Sequence, residues 1–274
     1  MLWAPSSPLV LPERISLYAP LVDHVPPDLT FTRAAGPCSW QTAAAADGTT
    51  FVDLFTGGNA NVPRFHYAAG LGRRALLLER ASTNIGPDTN FVDAGPDNVP
   101  DGWAASAGVA GTDFEVTSGA GHGGARLRLL DTAVANRGVQ DAVTLAALTT
   151  YTSSVWSRRT GAGGAGNLRG HQTNGTISTI ALNAGPHDWA SIQGTADTGA
   201  LGGTAQYCLA ADGDTPGVVE TFAPQTEALA YATTWIPTAG GAGTRAEERC
   251  TVAAAVVGRT TGLPEAPALS PRGD

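Results

Sequence analysis

The feature that most restricts how this 274-residue chain can fold is its punctuation. No apolar segment runs far before glycine, proline or a glycine-flanked aspartate interrupts it. The chain holds 35 glycines and 18 prolines, concentrated in clusters such as 119–124, 161–166 and 211–217. These clusters predict turns, because glycine reaches positive φ without strain and proline fixes its own φ. Between them the apolar residues recur with period two: Phe114-Glu115-Val116, Ala125 to Leu130, Tyr151 to Ser157 and Thr176 to Leu182. Val218 to Phe222 and Thr251 to Val257 are rich in β-branched residues, which suit a pleated surface. The run Ala75-Leu76-Leu77-Leu78 fits a buried strand as well as a helical turn. Many short strands between turn clusters predict an all-β protein built on a jelly-roll β-sandwich over 85–238.

The flanks read differently. Residues 1–84 mix frequent proline with Trp3, Trp40, Phe51, Phe55, Phe65 and Tyr67, too apolar for a disordered linker and too irregular for a sheet of their own. Residues 239–274 carry the charged knot Arg245-Ala246-Glu247-Glu248-Arg249, a strand-like run and a proline-rich end. Both are expected to be extended arms, held against neighbouring subunits of an assembly.

Charge narrows the partners. The formal net charge is −8, and all 16 basic residues are arginine. The lack of lysine excludes a Schiff-base lysine and a phosphate-loop lysine. An acidic chain with scattered arginines is not expected to bind nucleic acid, which needs a dense positive face. No stretch approaches the ~20 apolar residues of a membrane span, so no membrane insertion is expected. The start, Met1-Leu2-Trp3-Ala4-Pro5, has no positive region followed by an apolar run, so no signal peptide is expected. Cys38, Cys208 and Cys250 are widely spaced and lack zinc-ligand spacing with the histidines.

Several collinear motifs carry a resemblance. Phe31-Thr32-Arg33-Ala34 is followed by the alanine-rich Ala43 to Gly48, then Asn61-Val62-Pro63-Arg64-Phe65-His66-Tyr67. Leu76-Leu77-Leu78-Glu79-Arg80 and Ala81-Ser82-Thr83-Asn84 come next. Far downstream, Gln225-Thr226-Glu227 leads to Thr233-Thr234-Trp235-Ile236-Pro237-Thr238 and Thr244-Arg245-Ala246. Across about 29–246 this order resembles tailed-phage and gene-transfer-agent virion proteins of the head-spike, head-fibre or tail-fibre type. Gly36-Pro37-Cys38, the segment Phe51 to Gly58 and Thr226 in place of a leucine depart from the pattern.

The resemblance implies a carbohydrate-binding-module-like jelly roll between an N-terminal virion-docking module (1–84) and a C-terminal arm (239–274). It implies a structural virion protein made in the bacterial cytoplasm, partnered by capsid or tail subunits. It implies a homo-oligomer, with a trimer favoured, whose jelly roll touches host cell-surface polysaccharide. A purely structural stabiliser without ligand is the alternative. Such modules often hold one structural calcium, but no residue here is assigned to it and no cofactor is expected. Asp212-Gly213-Asp214 resembles part of an oxygen-ligand loop without its remaining acidic positions; a polar turn is the plainer reading.

Arg33, Arg64 and Arg245 stand beside apolar residues, where a guanidinium can make bidentate bonds to a carboxylate such as Glu79 or Glu227. With Phe65 and Gln225 they form the expected docking set, stapling the arm to the sandwich; solvated arginines are the alternative. No Gly-x-Ser-x-Gly elbow exists for a nucleophile. Acidic residues such as Asp97, Asp101, Asp212 and Asp214 adjoin glycine or proline, where turns rather than glycoside hydrolysis explain them. No catalytic residue is assigned, and the chain is not expected to be an enzyme. For sugar binding the candidates are Trp156, Arg158, Arg169, His171, Gln172 and Asn174, which bracket the glycine-rich 161–166 loop. Trp103, Trp156 and Trp189 each fit a core anchor as well as a stacking platform.

Overall fold

A computed structural model of the chain describes residues 29–41, 51–54, 60–61, 63–68, 73–86, 89, 91–95, 97–118, 125–130, 137–160, 166–172, 175–181, 187–198, 203–211 and 218–252. Among the described residues there are eighteen strands and no helix. The N-terminal ones are β1 (Leu29–Thr32), β2 (Cys38–Gln41), β3 (Phe51–Leu54), β4 (Arg64–Ala68), β5 (Arg73–Leu77) and β6 (Ser82–Asn84). The sandwich proper supplies β7 (Ala104–Ala107), β8 (Phe114–Ser118), β9 (Ala125–Leu129), β10 (Gly138–Leu145) and β11 (Thr150–Thr160). It continues with β12 (Gly166–Gln172), β13 (Gly175–Ala181), β14 (His187–Asp197), β15 (Gly203–Ala211) and β16 (Val218–Glu227). Two short strands close the described chain, β17 (Gly243–Arg245) and β18 (Arg249–Val252).

Two antiparallel sheets face each other. One has the order β13-β12-β15-β10-β7, and the other runs β14-β11-β16, with β9-β8 and β6-β17 both continuing from β16. From β7 to β16 the chain passes repeatedly from one sheet to the other, so neighbours such as β10 and β15 are distant in sequence. That crossing pattern is a jelly roll. Its core lies between the sheets: Val139, Val143 and Leu209 from one meet Phe114, Leu127, Leu129, Val155 and Val219 from the other. The alternation of β9 explains its place, since Ala125, Leu127 and Leu129 are buried while the intervening arginines are not. Burying each large apolar side chain contributes roughly 1.5–3 kcal/mol. Phe91 and Trp103 close one end, with ring centroids 5.6 Å apart, so Trp103 is a core anchor.

One turn shows why glycine is required. Gly108 has φ of 88°, and a Cβ there would lie 2.8 Å from an oxygen of Asp113. That oxygen accepts the Val109 N–H at 2.7 Å, and Asp113 also pairs with Arg137.

Where the terminal segments are described, they include paired strands as well as extended chain. Over their described residues they form three antiparallel pairs, β1 with β18, β2 with β3, and β4 with β5. The apolar run around Leu76 thus ends in a strand, and Leu76 is fully buried. β6 and β17, from the two flanks, pair with each other and β6 pairs with β16 at Glu227.

Candidate functional site

The distinctive chemistry lies on the outer face of the seven-stranded sheet, and β16 organises it. Ala223 has φ of 53°, and the pairing with β11 slips there: Trp156 stands opposite Phe222, but Ser154 stands opposite Gln225. This bulge adds one residue to β16 and reverses its alternation. Glu220 and Phe222 before it, and Gln225 and Glu227 after it, therefore share the outer face. The next residue, Pro224, has no N–H to leave unpaired where the neighbour of β16 changes from β9 to β6.

The half beyond the bulge is covered. Arg64, Arg245, Gln225 and Glu227 are almost wholly buried, with Arg33 and Glu248 nearly so. Arg64 makes a bidentate pair with Glu248, Nε to Oε1 at 2.7 Å and Nη2 to Oε2 at 2.6 Å. Its Nη2 also donates to Glu79 at 2.6 Å, and its Nη1 to Thr234 Oγ1 at 2.6 Å. Arg245 reaches Glu79 at 3.1 Å and donates to the Thr234 carbonyl at 3.0 Å. Arg33 reaches Glu248 at 3.4 Å. Backbone bonds reinforce the closure: Glu79 N donates to Glu248 Oε2 at 3.0 Å, and Glu248 N to the Glu79 carbonyl at 2.9 Å.

Burial alone would raise the Glu79 carboxyl, but Arg245, Arg64 and the Thr234 bonds outweigh it and hold it at about 2. Burial likewise opposes the charge on Arg64, and Glu248 and Glu79 overcome it, so its pKa is raised. Glu227 differs. Burial pushes its pKa up against bonds from Ser82 and Thr233 and the charge of Arg245. Its donors are Ser82 Oγ, Gln225 Nε2 (2.5 Å), Thr233 N (2.8 Å) and Thr233 Oγ1 (2.6 Å).

Two details differ from expectation. The Arg64–Glu79 pair is made, but the bidentate partner is Glu248. Glu227 is held by hydroxyl and amide donors, because the Thr233 turn and Ser82 reach it first. Gln225 also accepts the Ile236 N–H at 2.6 Å, and Phe65 sits half-buried on β4 opposite Leu76.

The half before the bulge is half-buried. Across β11, β16, β9 and β8 the register places Arg158, Glu220, Arg128 and Glu115 in one row of alternating charge. Arg158 and Arg128 both pair with Glu220, Arg128 also with Glu115, and Arg126 lies 3.9 Å from Glu220. Beside this row Trp156 is parallel to Phe222 at 6.1 Å, and Trp189 tilts onto Phe222 at 4.8 Å. The guanidinium carbons of Arg126 and Arg158 each lie 4.9 Å from the Trp189 ring.

The sugar-site candidates are split. Trp156 and Arg158 lie on β11, whereas Arg169, His171 and Gln172 lie on β12 of the other sheet. β11 and β12 lie in different sheets and so are not partners in a hairpin. The side chains of Arg169, His171 and Gln172, and all of Asn174, fall outside the described residues, as do Asp212 and Asp214. Among the described residues no group of three or more His, Cys, Asp or Glu could hold a metal ion.

Sequence reading missed Glu248, Thr234, Arg126, Arg128 and Glu220. The alternation Arg126-Leu127-Arg128-Leu129 was the available signal for two of them, since it puts both arginines on the face away from the core.

No protein-family model matches the chain, and no curated protein matches it. Among solved structures it is similar to the CBM22-1–GH10 modules of Clostridium thermocellum xylanase 10B complexed with xylohexaose, at 15% identity over 57% of this chain and 30% of that one, TM-score 0.36. It is also similar to the CBM22-1 xylan-binding domain of Paenibacillus barcinonensis Xyn10C, at 16% identity over 55% of this chain and 94% of that one, TM-score 0.35. A third is the enzymatically active domain of bacteriophage CBA120 tailspike protein 4, at 10% identity over 50% of this chain and 21% of that one, TM-score 0.35. The chain thus spans less than a third of the xylanase and tailspike structures. At such low similarity the jelly-roll assignment stands on the strand order itself.

Proposed function

We propose that this chain is a non-catalytic structural component of a phage-type particle, a head spike, fibre or decoration subunit, whose jelly roll contacts host surface polysaccharide. One observation carries the reading. The sequence pieces that resemble virion proteins lie far apart in the chain, yet Arg33, Arg64, Glu79, Thr234 and Arg245 meet around Glu248 in one buried cluster. Ser82, Gln225, Glu227 and Thr233 form a second cluster beside it. The motif residues therefore converge in one place, which supports the resemblance as a whole. On this reading the partners are other virion subunits and further copies of the chain, three in a spike or fibre. The protein is made in the bacterial cytoplasm and ends in the particle, where many copies let weak glycan contacts add up.

The test is location. Particles are purified on a density gradient from the producing bacterium and labelled with gold-tagged antibody against this chain. Label on a capsid vertex or tail is expected; a chain confined to particle-free fractions overturns the proposal. Light scattering of the purified chain gives the copy number, and a monomer at micromolar concentration removes the trimer. Release of reducing ends from host polysaccharide would overturn the non-catalytic part.

A further inference from the structure

The row of arginines on the outer face of the seven-stranded sheet has more to offer than the ion pairs it makes. Arg126, Arg128 and Arg158 stand against Glu115 and Glu220. The described ionic side chains of this patch therefore sum to one positive charge, in a chain whose net charge is −8. Side chains of Arg128 and Arg158 remain about a third exposed, whereas Glu220 between them is only 12% exposed. Glu220 sits at the floor of the row with Arg126, which is 13% exposed, and Arg128 and Arg158 form the rim together with Glu115, which is 25% exposed. Each guanidinium carries five N–H donors, more in total than two carboxylates can accept.

The donors are also fixed in place. Arg158 is held by Glu220 and by the Trp189 ring, and Arg128 bridges Glu220 and Glu115. Arg158 on β11 and Arg128 on β9 flank β16, so their backbones stand about 10 Å apart. Half-buried Trp156 borders them on the same face, one row along.

We infer that this face binds an acidic saccharide, whose carboxylate, sulfate or phosphate groups meet Arg128 and Arg158 while a sugar ring packs on Trp156. The inference rests on the carbohydrate-contacting reading above and specifies its ligand class. A charged group gains charge-assisted bonds from guanidinium planes already aligned to receive it. A neutral sugar would desolvate the same ion pairs without that return. The remainder of the chain sums to a more negative charge than the whole, so on balance it repels an anionic polymer that this face attracts.

The full chain, biotinylated and displayed on streptavidin, is tested by biolayer interferometry against polygalacturonate, dextran sulfate, uncharged dextran and duplex DNA. Binding to the two acidic saccharides is expected, weakening with added salt, with none to dextran. Arg128→Gln and Arg158→Gln should each weaken it at least tenfold. Arg249→Gln removes the same charge from a side chain that is 59% exposed elsewhere, and should change it less than twofold. Thermal unfolding is recorded for each variant; if Arg158→Gln does not fold, Arg128→Gln decides.

Equal losses in Arg249→Gln and Arg128→Gln would reduce the effect to overall charge and overturn the site. Tighter binding to duplex DNA than to either saccharide would overturn the ligand class. Binding to dextran that Arg128→Gln leaves intact would overturn this inference while the carbohydrate reading survives. Binding to no saccharide would sink both.

Discussion

Replacing Glu248 with glutamine removes one negative charge from the buried cluster and changes little else in shape. The carboxylate accepts from Arg64 Nε at 2.7 Å, Arg64 Nη2 at 2.6 Å, Glu79 N at 3.0 Å and Arg33 Nη1 at 3.4 Å. A glutamine keeps one oxygen and turns an NH2 group toward donors that can only repel it. Arg64 and Arg245 then share Glu79 and Arg33 loses its bond to Glu248, leaving three buried cations in a cluster with one carboxylate. Breaking a buried pair in this way costs about 3–5 kcal/mol. For a chain of this size each kcal/mol moves Tm by about 2–4 °C, so Glu248→Gln should lower Tm by roughly 6–20 °C in differential scanning calorimetry. Arg64→Met combined with Glu248→Gln should lose less than the two single changes added together, because the second removes part of the imbalance left by the first. A Glu248→Gln protein melting within 1 °C of the parent would refute the view that this carboxylate ties the terminal segments to the sandwich.

Acid should act in two opposed steps. Glu79, held at about 2 against an ordinary value of 4.5, stabilises the fold above its unfolded value. That contribution, on the order of 3 kcal/mol, disappears as pH falls from about 5 to 2. Glu227 is raised, so its ionisation weakens the fold above its folded pKa, and acidification relieves this first. Tm should therefore rise slightly below neutrality before it falls, with Glu227→Gln flattening the upper limb and Glu79→Gln the lower; a monotonic fall from pH 7 would contradict the assignment for Glu227. Asn84 accepts from Gly86 N and Thr226 N, both at 3.1 Å, and donates to the Ile236 carbonyl at 2.9 Å. Asn84→Ala orphans these buried groups at about 1–3 kcal/mol each, and urea denaturation should show a loss near 3 kcal/mol; a change under 0.5 kcal/mol would count against it. Ala223→Val places a β-branched residue at φ of 53°, a conformation costing about 1–3 kcal/mol, and should lower the urea midpoint, whereas an unchanged midpoint would mean the bulge is absent.

The sandwich is readable where one strand alternates cleanly. Leu127 and Leu129, or Tyr151 and Val155, announce a face because their neighbours are polar. β10 escapes such reading because Asp141 takes the register position between Val139 and Val143, and β15 because Cys208, Leu209, Ala210 and Ala211 are apolar in succession; the pairing of Val139 with Leu209 makes them core strands. Arg64 and Glu79 lie fifteen residues apart on the same flank and can be paired by inspection. Glu248 lies 184 residues from Arg64, and nothing local distinguishes it from Glu247 beside it, which is exposed and pairs with Arg249. That the row and the covered half share one outer face was hidden for a further reason. One extra residue at Ala223 exchanges inward and outward positions along β16, so Glu220 and Glu227 share a face that counting by twos assigns to opposite sides.

The pairing of β1 with β18 has a mechanical consequence. Leu29 stands opposite Val252 and Thr32 opposite Arg249, so the chain enters and leaves the described structure at the same end of one ribbon. Tension that draws these two ends apart peels the ladder one pair at a time, starting from Leu29 and Val252. It then arrives at Arg33 and Glu248, the next residues along each strand, where Glu248 holds both Arg33 and Arg64. The buried cluster sits where the peeling would otherwise reach the sandwich. A load borne through the ends of this ribbon therefore meets the ladder first and the buried ion pairs behind it.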